Sequence, residues 1–197
     1  MISRPETPFR MTTPLVPEAL RGLRCGDAVL LSGTIFTARD AAHRRMVEVH
    51  LRGEPLPLDL RGQVIYYAGP SPTPPGRAVG AIGPTTSGRM DPYTPLLLEL
   101  GLRGMIGKGR RSAEVVRAMV SFGAVYFGAT GGAAALLARS VRRVLPVAYD
   151  DLGPEAITAL EVEDFPVTVV VDLRGHDLYD EGPAAFLESL KGSGTGA

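Results

Sequence analysis

The amino-acid sequence predicts one α/β domain built on a mixed, partly parallel sheet. Three observations carry that reading. Through the middle of the chain, short apolar runs bounded by Gly and Pro alternate with segments whose apolar residues recur at helical spacing. Alternation of that kind requires crossovers, and crossovers make neighbouring strands parallel. The 197 residues, 45% apolar and 21% charged, suit one ordinary soluble core.

Residues 1–11 read as an extended tail, with Met11 a second possible start, and residues 12–190 as the domain. Asp27 to Gly33 (DAVLLSG) is a short buried strand. Arg39 to Leu51 follows as a helix, with Ala42, Met46 and Val49 on one face, and Gly53 closes it. Gln63 to Ala68 is a second strand, and Gly69 to Gly76 is a loop holding four prolines. Asp91-Pro92 pairs an N-cap acid with Pro at the first helical position, which predicts a helix running to Gly101. Gly104 to Ile106 is a strand, Ser112 to Ser121 a Ser-capped helix, and Ala124 to Phe127 a strand. Gly131-Gly132 turns into a helix of small residues, Ala133 to Val141. Val144 to Ala148 and Val167 to Asp172 are expected strands, Gly175 a turn, Pro183 to Leu190 a last short helix, and residues 191–197 a flexible tail.

Charge and cysteine content exclude several function classes. Lys plus Arg and Asp plus Glu stand at 21 each, so no basic field exists for nucleic acid or an anionic membrane. Any anion must be held by a few converging side chains. Met1 to Arg10 lacks the apolar core of a signal peptide. Ala118 to Ala138 carries no charge, but its glycines split it into strand, turn and helix and it is too poor in Leu and Ile to span a bilayer. A soluble, cytoplasmic protein is expected. Cys25 is the single cysteine, so the chain cannot form an internal disulfide, a zinc ribbon or an iron–sulfur cluster of its own. Its default role is a small buried hydrophobe.

Four stretches hold the residues able to carry chemistry. Gly83 to Asp91 (GPTTSGRMD) packs three hydroxyls, Thr85, Thr86 and Ser87, and the Arg89 guanidinium beside Gly88, ahead of a helix start. Such a loop suits an anion gripped by Arg, and equally a solvated polar turn. Gly107-Lys108-Gly109 lets a lysine lie close to a ligand but does not match a P-loop. Arg39, Asp40 and His43 fall within one helical turn, where a carboxylate can orient an imidazole. Gly128 to Ala133 lacks dinucleotide-binding spacing and suits close helix packing. Glu155, Glu161, Glu163 and Asp164 read as solvated charges, and His50 and His176 as surface residues.

Taken together, SGTIFTARDAAHRR, GQVIYYAGP, GPTTSGRMD, GMIGKG, GATGGAAALLA, DDLGPEAI and VEDFPVTVVVD resemble the C-terminal domain, or β subunit, of class I fumarate hydratases and L(+)-tartrate dehydratases. The likeness covers about residues 12–180. It implies a three-layer swivelling β/β/α domain docked on an α subunit, in an α2β2-type assembly acting on a C4 dicarboxylate. In that family the α subunit holds a [4Fe-4S] cluster through three cysteines. The resemblance makes Arg39, Arg89 and Lys108 the carboxylate-binding cations, with Thr86, Ser87 and Gly88 completing the substrate loop. Thr85 matches a hydroxyl near the carbon that exchanges a proton, and His43 with Asp40 an active-site group. The segments at Gly131 to Ala134 and Glu163 to Val167 look like the fumarate versions, with tartrate dehydration the alternative. A non-catalytic anion- or phosphate-binding regulatory module is the reading of another class.

Overall fold

A computed structural model describes residues 7–129 and 131–183. The strands are β1 (Phe9–Thr12), β2 (Ala28–Thr37), β3 (Val64–Tyr66), β4 (Gly104–Gly107), β5 (Val125–Gly128), β6 (Val141–Ala148) and β7 (Ile157–Val171). The helices are α1 (Pro17–Leu20), α2 (Asp40–Leu51), α3 (Thr94–Glu99), α4 (Ala113–Phe122) and α5 (Ala134–Arg139). Short 3-10 turns cover Ser87–Met90, Gly131–Ala133 and Asp150–Glu155.

Strands β1 to β5 are mutually parallel where they pair, as the alternating pattern predicts. The return strand β7 runs antiparallel and bonds both β5 and β2. The path β2-β3-β4-β5-β7 therefore closes on itself, leaving β1 and β6 at the margins. Strand periodicity then sorts side chains into two cores. Val64 and Tyr66 of β3, with Ile106, Phe127, Leu160 and Phe165, fill the space between facing walls of the sheet. Ile65 and Tyr67, with Met105 and Tyr126, face outward and are covered by Ala42 and Met46 of α2, Leu97 and Leu98 of α3, and Val115 and Met119 of α4. Sheet on sheet, with one helical layer outside, is the expected β/β/α arrangement.

Several boundaries differ from the sequence reading, each for a local reason. Residues 9–11, read as tail, pair with β2 as an edge strand. Strand β7 extends over 15 residues, well beyond the Val167 to Asp172 expected. Its N-terminal half carries the acids read as solvated charges, and no strand is expected there from the sequence. Glu161 and Glu163 in fact point outward to Arg143 (3.7 Å) and Arg142 (2.9 Å) of β6, and Asp164 pairs with Arg10. Cross-strand pairs of this kind make an acidic strand acceptable. Asp91 does not cap α3, which starts at Thr94. Its carboxylate instead takes Arg111 Nε (2.8 Å) and the Ser112 N–H (2.7 Å), because an ionic partner deep in the core outcompetes a local cap. Ser112 does cap α4, accepting from the Val115 N–H at 3.3 Å.

Among the described residues no helix is long and apolar enough to cross a membrane. The expected last helix lies almost wholly outside the described residues, as do the C-terminal tail and residues 1–6.

Candidate functional site

Parallel strands send their following loops to the same edge, and ligands of α/β sheets bind there. Here β2, β3 and β4 are neighbours, so three loops meet. Arg39 and Asp40 follow β2, Tyr67 and Ala68 follow β3, and Lys108 follows β4. The loop bearing Thr85 to Arg89 is stitched between the last two. The Thr85 N–H donates to the Tyr67 carbonyl (2.6 Å), the Ser87 N–H to the Lys108 carbonyl (2.8 Å), and the Lys108 N–H to the Thr85 carbonyl (3.3 Å). The structure thus brings all the predicted site segments together on one edge.

Each arginine in the cluster is oriented by a carboxylate. Arg89, about half exposed, donates from Nη2 to Asp40 Oδ2 at 2.7 Å. Arg39 lies 3.0 Å from Glu155 Oε1, both side chains about three-quarters buried. The second Glu155 oxygen accepts from the Ala41 N–H at 3.2 Å, so Glu155 braces the start of α2 as well. Sequence reasoning left Glu155 as a solvated charge. It is set by a turn in which Gly153 has φ 56° and Pro154 presses its carbonyl toward Gly69, so the Gly-Pro pair in DDLGPE was the available signal. Lys108, Thr86, Gly88 and Arg89 are exposed and Thr85 is half-buried. Ser87 is buried, its hydroxyl turned inward to Tyr126 at 2.8 Å.

His43 sits beneath this surface with no solvent exposure. Its Nδ1 donates to the Arg39 carbonyl at 2.8 Å, and its ring packs edge-on against Tyr67. A carbonyl only accepts, so the proton resides on Nδ1 and Nε2 is a lone pair. Burial drives the imidazole pKa down to about 4, against a smaller upward pull from the Arg39 carbonyl. The ring is neutral at pH 7, and its one hydrogen bond among the described residues is to the Arg39 carbonyl. Since an unfolded His titrates near 6.5, the unfolded chain binds more protons than the native one between about pH 6.5 and 4. Stability should therefore fall as pH drops through that window, by at most about 1.4 kcal/mol per pH unit from this group. Denaturant midpoints of wild type and His43→Asn across pH 4.5–7 check this. An equal slope in both proteins would show that the ring is not held neutral.

Three buried polar atoms in this cluster have no hydrogen-bond partner among the described residues: Arg39 Nε, Asp40 Oδ1 and His43 Nε2. Of these, only Arg39 Nε is a donor able to meet an anion; Asp40 Oδ1 and His43 Nε2 only accept. The described clefts lie elsewhere. One of about 450 Å³ is lined by His50, Glu54, Leu58 and Arg61, and one of about 420 Å³ by Leu30, Leu137 and Pro166. The cationic edge is open, and no group of three or more His, Cys, Asp or Glu converges among the described residues to hold a metal.

Beneath the edge lies Arg111, which sequence reasoning passed over beside the exposed Arg110. Its buried guanidinium donates to Asp91 Oδ1 (2.8 Å), Tyr67 Oη (3.0 Å) and Thr94 Oγ (2.7 Å). It also stacks over the rings of Tyr67 and Tyr126, at 5.2 and 5.3 Å. Arg111, on the loop after β4, thereby ties that loop to Tyr67 after β3 and to Asp91 and Thr94 at the start of α3.

A family model described as the fumarase C-terminus matches residues 5–182. Fumarate hydratase 2 of Leishmania major is 46% identical over 168 residues, 84% of this chain and 30% of that protein. The anaerobic class I fumarate hydratase of Escherichia coli is 45% identical over 153 residues, 77% of this chain and 28% of that protein. A putative L(+)-tartrate dehydratase subunit beta of Methanocaldococcus jannaschii is 40% identical over 182 residues, 89% of this chain and 93% of that protein. The chain spans about a third of the fumarate hydratases it matches and nearly all of the tartrate dehydratase subunit. With the β/β/α fold and the clustered Arg39, Thr85, Arg89 and Lys108 already described, these matches mean that the chain belongs to the fumarase C-terminus family.

Proposed function

We propose that the chain is the β subunit of a two-subunit class I fumarate hydratase, hydrating fumarate reversibly to (S)-malate. The observation that carries the reading is the open edge where Arg39, Arg89 and Lys108 come together on the loops after β2 and β4 and the loop stitched between β3 and β4. Arg39 and Arg89, each aimed by a carboxylate and with donors to spare, and Lys108 supply the cationic contacts a C4 dianion needs, and a chain of zero net charge must gather them locally. Removing the proton next to a carboxylate builds negative charge on that carboxylate, and the same cations stabilise it as it develops. Asp40 and Glu155 hold the two guanidiniums in place, and His43 braces Arg39 from below. Thr85 lies near the carbon that exchanges its proton. A threonine hydroxyl is a poor base at neutral pH, so proton transfer there draws on an acidic group of the partner.

The residues of this chain do not fit an iron–sulfur cluster, since it has one cysteine. The reading therefore assigns the [4Fe-4S] cluster and its three cysteines to an α subunit docked on the open edge, in an α2β2-type complex. When bound there, the cluster supplies a Lewis acid. A second reading, the β subunit of an L(+)-tartrate dehydratase, is favoured by the 93% coverage of the Methanocaldococcus subunit. The 45–46% identity to the two fumarate hydratases named above supports the first.

Co-production with the α partner, without oxygen, tests the proposal. The complex should be brown, oxygen-sensitive and active on malate and fumarate, and the purified chain alone colourless and inactive. Turnover of tartrate with none of malate would favour the second reading. Iron–sulfur absorbance or hydro-lyase turnover in the chain alone would sink both.

A further inference from the structure

The hydroxyl of Tyr126, fully buried in β5, joins two hydrogen bonds that end on the two substrate loops. Ser87 Oγ lies 2.8 Å from it and the Gly109 carbonyl 2.9 Å. A carbonyl only accepts, so the Tyr126 O–H donates to Gly109 and the Ser87 O–H donates to the Tyr126 oxygen. The direction of the chain is thereby set as Ser87 to Tyr126 to Gly109. One end lies between Thr85 and Arg89, and the other follows Lys108 directly. Space around the junction is closed. A Cβ at Gly107 would fall 2.0 Å from Ser87 Oγ, so only glycine admits this hydroxyl. Arg111 covers the Tyr126 ring at 5.3 Å. Burial raises the phenol well above its ordinary range, which keeps it protonated and donating.

We propose that Tyr126 is a positioning residue that sets the spacing between the loop of Thr85 and Arg89 and the loop of Lys108. It touches no substrate and acts through Ser87 and Gly109. With the latch closed, the Arg89 and Lys108 cations meet one dicarboxylate together. With it open, the loops keep only the backbone bonds from the Ser87 N–H to the Lys108 carbonyl and from the Lys108 N–H to the Thr85 carbonyl, and the substrate itself must fix the finer spacing of the two cations. The proposal rests on the hydro-lyase reading above.

Tyr126→Phe keeps the ring and its stacking with Arg111 but deletes both bonds. In the complex with the α partner, KM for malate should rise about tenfold while kcat stays within about threefold. Ser87→Ala cuts the latch from its other end and leaves the buried ring in place, which guards against a Tyr126→Phe chain that fails to fold. The double variant should be no worse than either single one, within about twofold, because all three open one latch. In the isolated full chain, amide hydrogen exchange at Ser87 and Lys108 should quicken, with β7 unchanged. Unchanged exchange at those amides would overturn the proposal. So would a fall in thermal stability with KM unaltered, or additive losses in the double variant. A wild-type complex without hydro-lyase turnover would overturn the function reading instead, and the exchange pattern would then decide the latch alone.

Discussion

Arg89→Met should lower kcat/KM for malate by about 2–4 kcal/mol, roughly 30- to 1000-fold, in the assembled enzyme. The guanidinium is half exposed at the open edge, with one nitrogen on Asp40 at 2.7 Å, so other donors remain for a substrate carboxylate. Methionine keeps much of the aliphatic stem and removes every donor. In the proposed function the guanidinium meets a substrate carboxylate in both the bound and the transition state, so KM should rise and kcat should fall as the developing charge loses its partner. Asp40→Asn is the companion variant. It leaves the cation in place and loosens its aim, so its loss should be smaller than that of Arg89→Met. Steady-state kinetics on the two variants decide the matter. A kcat/KM for Arg89→Met within twofold of wild type would remove Arg89 from the site.

The second large effect is on stability. Arg111→Met should destabilise the chain by about 3–5 kcal/mol, because a buried cation that satisfies three groups cannot be removed cleanly. Asp91 would keep the Ser112 N–H but lose its counter-ion, and Thr94 Oγ and Tyr67 Oη would each lose a donor. At about 2–4 °C per kcal/mol for a chain of this size, the thermal midpoint should fall by roughly 6–20 °C. Thermal or denaturant unfolding of the isolated chain checks this. Arg111→Met/Asp91→Asn should recover part of the loss, since it removes the uncompensated charge. A single variant within about 1 kcal/mol of wild type would show that the network contributes little.

Much of this protein was legible in its residues because local rules governed them. Ser112 reads as a cap and is one. The run from Arg39 to Leu51 has a helical period, and α2 spans Asp40–Leu51. Where such rules gave the wrong boundary, a long-range partner had intervened. Asp91 has every local mark of a helix cap, yet Arg111, 20 residues away, takes its carboxylate. Glu161 and Glu163 are the solvent-facing charges their sequence suggests, but it is Arg143 and Arg142 opposite them on β6 that let the strand run through them.

The same division applies to the site. Residue types, spacing and family likeness bring Arg39, Asp40, His43, Thr85, Arg89 and Lys108 forward as candidates, because their chemistry is written in their side chains. Their depths and partners follow from packing. His43 and Asp40 are close in sequence, yet the imidazole is wholly buried on the Arg39 carbonyl and the carboxylate faces Arg89. Glu155, 116 residues after Arg39, and Tyr126, 39 residues after Ser87, show no local pattern that ties them to the site. They join it because β7 returns antiparallel beside β2 while β5 runs parallel beside β4. A pairing across that distance depends on how strands stack and which atoms are left to be satisfied. One-dimensional spacing carries no record of either.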